Sequence, residues 1–71
     1  MKLPLVSGRE VVKALSRIGY YFVRQCGSHI CLRHIDRKTV TVPDHHEVAK
    51  GTLRRILRDV GISNEDFFEL L

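Results

Sequence analysis

Two short runs of alternating apolar residues meet at the dipeptide Gly27-Ser28, and this arrangement limits the possible folds more than any other feature of the chain. The runs are residues 20–26 and residues 30–35, on either side of the tripeptide Gly27-Ser28-His29. Two such runs joined by a Gly-X pair are typical of a β-hairpin with a type II′ turn, because glycine adopts the positive φ of the first turn position. The sequence therefore predicts two antiparallel strands, with Cys26 opposite His29.

The predicted register assigns the hairpin side chains to two faces, because successive residues of a strand point to opposite sides. With Val23 opposite Leu32 and Phe22 opposite Arg33, the apolar face that belongs to the core carries Tyr21, Val23, Ile30 and Leu32. The other face carries Arg24, Cys26, His29, Cys31 and Arg33, with Phe22 and Tyr20 further along. An imidazole beside two guanidinium groups on an exposed face is a candidate site for a phosphodiester.

Capping and apolar spacing predict a helix before the hairpin. Ser7 and Glu10 have the spacing of a capping box, and Gly19 supplies a C-terminal stop. Between them, the apolar residues at helical spacing are Val11, Ala14, Leu15 and Ile18.

A third strand and two further helices complete the predicted order. Residues 39–42 alternate as a strand, which Pro43 ends because proline has no N–H for the ladder. A second helix is predicted over about residues 50–60, where apolar residues recur at helical spacing, and Gly61 ends it. Ser63 caps a short last helix. Val40 and Val42 of the strand face inward. The apolar stripe of the second helix consists of Leu53, Ile56, Leu57 and Val60, and the last helix carries Phe67, Leu70 and Leu71.

This order predicts the α+β class, with the arrangement α-β-β-β-α, a three-stranded antiparallel sheet and helices on one sheet face. At 71 residues we expect one domain over residues 1–71, too small to enclose a large cofactor, and we expect no cofactor. The net charge of +4 favours a polyanionic partner. The chain contains no run as apolar as a membrane span and no signal peptide, so we expect a cytoplasmic protein with two free thiols and no membrane association.

Several motifs in order resemble the HicA-type toxins, the YcfA-like small ribonucleases of HicA–HicB toxin–antitoxin modules. They are Gly27-Ser28-His29, Val42-Pro43-Asp44-His45, residues 50–57, Gly61-Ile62-Ser63 and the ending Glu65-Asp66-Phe67. The resemblance covers essentially the whole chain and implies a fold similar to a double-stranded-RNA-binding domain. It also implies that the protein cleaves mRNA without requiring the ribosome, that His29 is catalytic, and that a HicB-type antitoxin is its partner. His46 lies outside the family pattern, and we assign it no role.

His29 is the candidate general acid or base. RNA cleavage without a metal needs a base for the 2′-OH proton, an acid for the leaving oxygen and cations around the phosphorane, and imidazole exchanges protons near neutral pH. Arg24 and Arg33 are candidates for neutralising the phosphate oxygens. His45 is a candidate phosphate ligand or second proton-transfer group, or else it satisfies backbone groups of its loop. The other candidate RNA-binding residues are Ser28 at the turn and, among the basic residues of the second helix, Lys50 and Arg54.

Other interpretations remain open. We expect His34 to be structural, and a zinc site is disfavoured because strand alternation separates His34 from Cys26, His29 and Cys31 and no C-x-x-C pair is present. The chain is either a ribonuclease, an inert RNA-binding module that recognises the shape of A-form backbone, or a protein-interaction domain for an acidic partner. A binder has no need of an imidazole at position 29, and RNA binding through phosphates falls steeply with salt.

Overall fold

The structure is a computed structural model that describes residues 3–71, and within this range the chain forms three helices and one three-stranded antiparallel sheet. The elements are α1 (Gly8–Ser16), β1 (Tyr21–Cys26), β2 (His29–Arg33), β3 (Val40–Pro43), α2 (Lys50–Val60) and α3 (Asn64–Leu70). The strands lie in the sheet in chain order, β1-β2-β3. This confirms the predicted α+β class and its α-β-β-β-α order, which is that of a double-stranded-RNA-binding domain. None of the helices in the described range is long and apolar enough to cross a membrane.

The capping box predicted for α1 is present. The hydroxyl of Ser7 accepts from the backbone N–H of Glu10 at 3.1 Å, and the Glu10 carboxylate accepts from the N–H of Ser7 at 2.9 Å. The helix ends at Ser16, before the predicted Ile18, and the chain then turns through Gly19 at φ +103°. Gly19 is the predicted stop, because glycine favours this left-handed backbone, and beyond it the Tyr20 N–H donates to the Leu15 carbonyl at 3.2 Å.

α2 spans the predicted range and buries the predicted stripe. The four residues of that stripe, each at most 2% exposed, are Leu53, Ile56, Leu57 and Val60. Gly61 ends the helix in the left-handed conformation, as predicted. α3 begins after Ser63, whose hydroxyl accepts from the N–H of Asp66 at 3.0 Å, and it buries Phe67 completely. Leu71, predicted as part of this helix, lies beyond its end and is exposed.

The hairpin turn has the predicted geometry. Gly27 has a φ of +58°, whereas Ser28 does not adopt a positive φ, so the turn is type II′ and not type I′. Cys26 pairs with His29 across the turn, as predicted. The glycine is required here because other residues rarely adopt this backbone conformation.

An irregularity at Val23, between Phe22 and Arg24, overturns the predicted register in the first half of β1. Phe22 pairs with Leu32, and Tyr21 pairs with Arg33. Strict alternation had placed Val23 opposite Leu32 and Phe22 opposite Arg33. One extra residue in a strand turns every side chain beyond it to the other face.

The core lies between α1, α2 and one face of the sheet. The sheet contributes Ile30, Leu32, Val40 and Val42 to it, all buried. β3 starts at Val40, one residue later than predicted, and includes Pro43 as its last residue. We call the opposite sheet surface the open face; strand pairing places on it Tyr21, Arg24, Cys26, His29, Cys31, Arg33 and Thr41.

The bulge exchanges the environments of three aromatic residues. Tyr21, predicted in the core, is 54% exposed on the open face. Tyr20, predicted on the polar face, is buried, and its hydroxyl donates to the Lys38 carbonyl at 2.8 Å. This burial raises the pKa of Tyr20. Phe22, also predicted on the polar face, lies on the helix side near Val12, exposed because β1 is an edge strand.

Candidate functional site

His29 lies where the ends of all three strands come together. It is paired with Cys26 of β1 on one side and with Pro43 of β3 on the other. Its side chain is exposed on the open face. Side chains directly opposite in an antiparallel sheet have Cβ atoms about 4.5–5.5 Å apart. A ligand bound to His29 therefore lies within reach of β1, β3 and the loop that follows β3. The thiols of Cys26 and Cys31 are both free.

Asp44 fixes the hairpin turn against the loop that follows β3. Its backbone N–H donates to the Ser28 carbonyl at 2.6 Å. Its carboxylate accepts from the Arg9 guanidinium at 3.3 Å and from the Gln25 amide at 3.2 Å. The hydrogen bonds from Arg9 and then Gln25 lower the pKa of the Asp44 carboxyl. Gln25 also donates to the Gly27 carbonyl at 3.0 Å, so the turn, α1 and the loop are linked through one carboxylate.

The N-terminus of α1 holds the same loop from another direction. The Gly8 N–H donates to the His45 carbonyl at 2.8 Å, and further along the loop the Val48 N–H donates to the Val6 carbonyl at 2.8 Å. A Cβ atom at Gly8 would collide with the carbonyl group of Pro43, so the helix approaches β3 this closely only because residue 8 is glycine. The backbone on both sides of His45 is therefore anchored.

A shallow depression of about 270 Å³ brings two imidazoles and one guanidinium together. Its lining consists of His29, Thr41 and Pro43 from the sheet, His45 and Glu47 from the loop, and Ala49, Thr52 and Arg55 at α2. This volume is at the small end for ligand sites, so the depression suits a phosphate group and not an enclosed ligand. Arg55 is one of the basic residues of the second helix and, like Thr52, lies in the motif at residues 50–57, but neither was predicted to bind RNA, and Glu47 had no signal in the sequence. The three-residue spacing of Thr52 and Arg55 places both on one side of α2.

The predicted RNA-binding residues on the sheet lie at different distances from His29. Arg24 pairs with Cys31 and is therefore diagonal to His29, about 7–8 Å away at Cβ. Arg33 is at the opposite end of β2, about 13 Å away along the strand at roughly 3.3 Å per residue. Ser28 precedes His29 in the turn and holds Asp44 through its carbonyl. Arg24 and Ser28 thus belong to the surroundings of His29, whereas Arg33 belongs to the far end of the open face.

The predicted RNA-binding residues on α2 do not line the depression. Lys50 and Arg54 are four residues apart and share one side of the helix, and both are exposed. Arg55 is rotated about 100° from Arg54, because a helix has about 3.6 residues per turn. The depression therefore receives Arg55, whereas Lys50 and Arg54 face a neighbouring part of the surface.

His34 is a structural residue, as predicted. Its Nδ1 accepts from the Asp36 N–H at 2.9 Å, so its Nε2 carries the proton and donates to the Ile18 carbonyl at 2.7 Å. The ring also lies 4.9 Å from that of Tyr20. Over residues 3–71, no three His, Cys, Asp or Glu side chains are grouped so as to hold a metal ion.

A sequence model of the family described as HicA toxin of bacterial toxin-antitoxin matches residues 8–62. The matched range runs from the start of α1 to just beyond α2 and contains every residue that lines the depression. The chain belongs to the HicA toxin family. A HicA toxin is one component of a toxin–antitoxin module, so this protein has an antitoxin as its partner. Among curated protein sequences, none matches this HicA toxin.

Proposed function

We propose that this HicA toxin is a metal-independent endoribonuclease that cleaves mRNA, with His29 as general acid or base. The observation that carries the proposal is the position of His29: an exposed imidazole, held in the ladder between Cys26 and Pro43, in a depression that contains a guanidinium. Family membership supports an mRNA-cleaving toxin. An inert RNA-binding surface would need arginines there but no proton-transfer group.

The chemistry uses groups that the site contains. A base removes the proton of the ribose 2′-OH as the 2′-oxygen bonds to the adjacent phosphorus, and the 5′-oxygen takes up a proton as its bond to phosphorus breaks. His29 provides the proton-transfer group. The Arg24 guanidinium, diagonal to His29, neutralises charge that develops on the phosphate oxygens. Ser28 shapes the turn beside them, since its carbonyl holds Asp44.

The remaining predicted residues extend the surface along the RNA. His45 lines the depression as a phosphate ligand. Arg33 is far enough from His29 to bind a neighbouring phosphate of the same strand, and Lys50 and Arg54 bind flanking backbone from α2. RNA bound in this way is held mainly by charge and with little reading of sequence.

We also propose that the antitoxin is of the HicB type and covers the open face with an acidic surface. Arg24 and Arg33 would then bind carboxylates in the complex and phosphates in the free toxin. Crosslinking of the co-purified complex tests this mode: we expect crosslinks near Arg24 and His29. Crosslinks confined to the helix side of the molecule would contradict it.

The direct test of the proposed function is incubation of the purified toxin with an end-labelled RNA oligonucleotide in excess chelator. We expect defined cleavage products, because the proposed reaction uses no metal ion. RNA that remains intact but is retained on the protein in a salt-dependent way would instead identify an RNA-binding module. RNA that is neither cleaved nor retained would contradict both, and would favour a protein-interaction domain.

A further inference from the structure

We propose that His29 and His45 form a catalytic pair of proton-transfer groups, with His29 as the base, His45 as the acid and Arg55 as the phosphate ligand. The inference rests on the proposed ribonuclease function. It extends that function because it gives His45 the role of proton donor in place of phosphate ligand. It also adds Arg55, a residue of α2, to the site.

The first support is that three separate elements bring these groups into one depression. His29 comes from β2, His45 from the loop after β3, and Arg55 from α2. The loop is not free to move away from the hairpin, because Asp44 donates to the Ser28 carbonyl and Gly8 donates to the His45 carbonyl. The fold therefore holds the backbone of both imidazoles in a fixed relation, as a two-proton mechanism requires.

The second support is the distribution of charge around the two rings. His45 is flanked by Asp44, with which it interacts electrostatically, and by Glu47 in the lining of the depression. On the side of His45 that faces α1, the neighbouring groups besides Asp44 are Ser7, Arg9 and His46. On the side that faces the depression, they are His29 and Arg55. His29 itself has uncharged partners across both ladders, Cys26 and Pro43, and the cationic Arg24 on the diagonal. Because Asp44 lies beside His45 and Arg24 is diagonal to His29, we assign the acid to His45 and the base to His29.

The proposed step is balanced with these groups alone. His29 removes the proton of the 2′-OH as the 2′-oxygen bonds to phosphorus. The bond from phosphorus to the 5′-oxygen breaks, and that oxygen takes the proton of the His45 imidazolium. The products are a 2′,3′-cyclic phosphate and a 5′-hydroxyl. Arg55 neutralises the non-bridging oxygens of the phosphorane during the step. Solvent then returns the proton to His45 and takes it from His29.

An RNA with a 5′-bridging sulfur at the scissile phosphate tests the pair, because a thiolate leaves without needing a proton. We expect His45→Ala to cleave ordinary RNA about 10²–10⁴-fold more slowly than wild type. We expect His45→Ala to regain most of the lost cleavage rate on the sulfur substrate. His29→Ala should be slow on both substrates, since its role precedes departure of the leaving group. His46→Ala is the matched control, one residue away and without an assigned role, and should resemble wild type on both.

The pH dependence gives a second readout. Wild type should show a bell-shaped rate profile on ordinary RNA, because one imidazole must be neutral and the other protonated. His45→Ala acting on the sulfur substrate should lose the alkaline limb and keep the acidic one. Arg55→Ala should weaken RNA cleavage, whereas Arg17→Ala, which removes the same charge beside the C-terminus of α3, should not.

The outcomes separate the two proposals. Two results would contradict the catalytic pair but not the ribonuclease function, provided that wild type cleaves RNA. In one, His45→Ala is equally slow on both substrates; in the other, it cleaves ordinary RNA as fast as wild type. If wild type cleaves neither substrate, the ribonuclease function itself is wrong. His45 contacts α1 through its backbone carbonyl, so His45→Ala and the bulkier His45→Gln should both fold, which circular dichroism verifies.

Discussion

At the scale of single residues, His34 shows how one imidazole can join two parts of the backbone. It bonds to the Ile18 carbonyl beyond α1 and to the Asp36 N–H beyond β2. Replacing it by alanine leaves both backbone groups without this partner. We expect His34→Ala to lower the free energy of unfolding by about 1–3 kcal/mol, measured by urea denaturation. His46→Ala, at an exposed position, should change it by less than about 0.5 kcal/mol. Equal effects of the two changes would contradict a structural role for His34.

The Asp44 carboxylate predicts a dependence of stability on acid pH. Its pKa is lowered in the folded protein, by hydrogen bonds from Arg9 and then Gln25. A lowered folded-state pKa stabilises the protein at pH values above the unfolded pKa of about 3.9, and this contribution is lost as the pH falls through the folded value. Asp44→Asn should therefore be less stable than wild type at pH 7, with the difference shrinking in acid below about pH 4.

Urea midpoints at neutral and acid pH measure this effect. The difference in stability between wild type and Asp44→Asn should be modest and should become smaller in high salt, because the Arg9 side chain is 83% exposed. Glu69→Gln, on the exposed side of α3, is the control for removal of a carboxylate elsewhere. A difference between Asp44→Asn and wild type that stays constant from pH 7 into acid would contradict the assignment.

At the scale of elements, two helical glycines predict opposite effects of the same substitution. In Gly8→Ala the new methyl group would meet the Pro43 carbonyl, and backbone cannot move aside cheaply. We expect a loss of about 1–3 kcal/mol in the free energy of unfolding. In Gly51→Ala the methyl group meets nothing within 4 Å, so alanine should stabilise α2 by about 0.5–1 kcal/mol. Urea denaturation compares the two, and a stable Gly8→Ala would mean that α1 does not approach β3 so closely.

The elements that were predicted best have signals within their own sequence. α2 combines four apolar residues at helical spacing with Gly61 as its stop, and α1 has its capping box. The bulge in β1 carries no such signal. Residues 20–23 are all apolar or aromatic, so sliding the register by one residue exchanges one large side chain for another at the core. Only the tertiary contacts of Tyr20 with the His34 ring and the Lys38 carbonyl decide that Tyr20 is buried and Tyr21 is exposed.

The candidate site likewise contains residues whose positions follow from local sequence and residues whose positions depend on tertiary packing. The surroundings of His29 could be predicted because a two-residue turn fixes which residues face each other beside it. Arg55 could not be predicted as a neighbour, because its position depends on how α2 crosses the edge of β3. The network around Asp44 was also missed, since Arg9 and Gln25 are distant from it in sequence.

At the scale of the whole molecule, the charge of +4 predicts that RNA affinity depends steeply on salt. For single strands, the slope of log K against log salt is about −0.7 per phosphate neutralised. Measured in a His29→Ala background to prevent cleavage, Arg24→Ala should reduce this slope by about 0.7. Arg17→Ala removes the same charge from another part of the surface and should leave the slope unchanged. Filter binding across a salt series compares them, and identical slopes for both variants would contradict phosphate contact at Arg24.

The most direct test of the account is the single-turnover rate of RNA cleavage by His29→Ala, compared with wild type and with His46→Ala. If His29 transfers a proton in the reaction, its loss should slow cleavage by about 10²–10⁴-fold. The fold should be retained, because the His29 side chain is exposed, and the His46→Ala control should cleave at a rate close to wild type. A folded His29→Ala protein that cleaves RNA as fast as wild type would contradict the central claim.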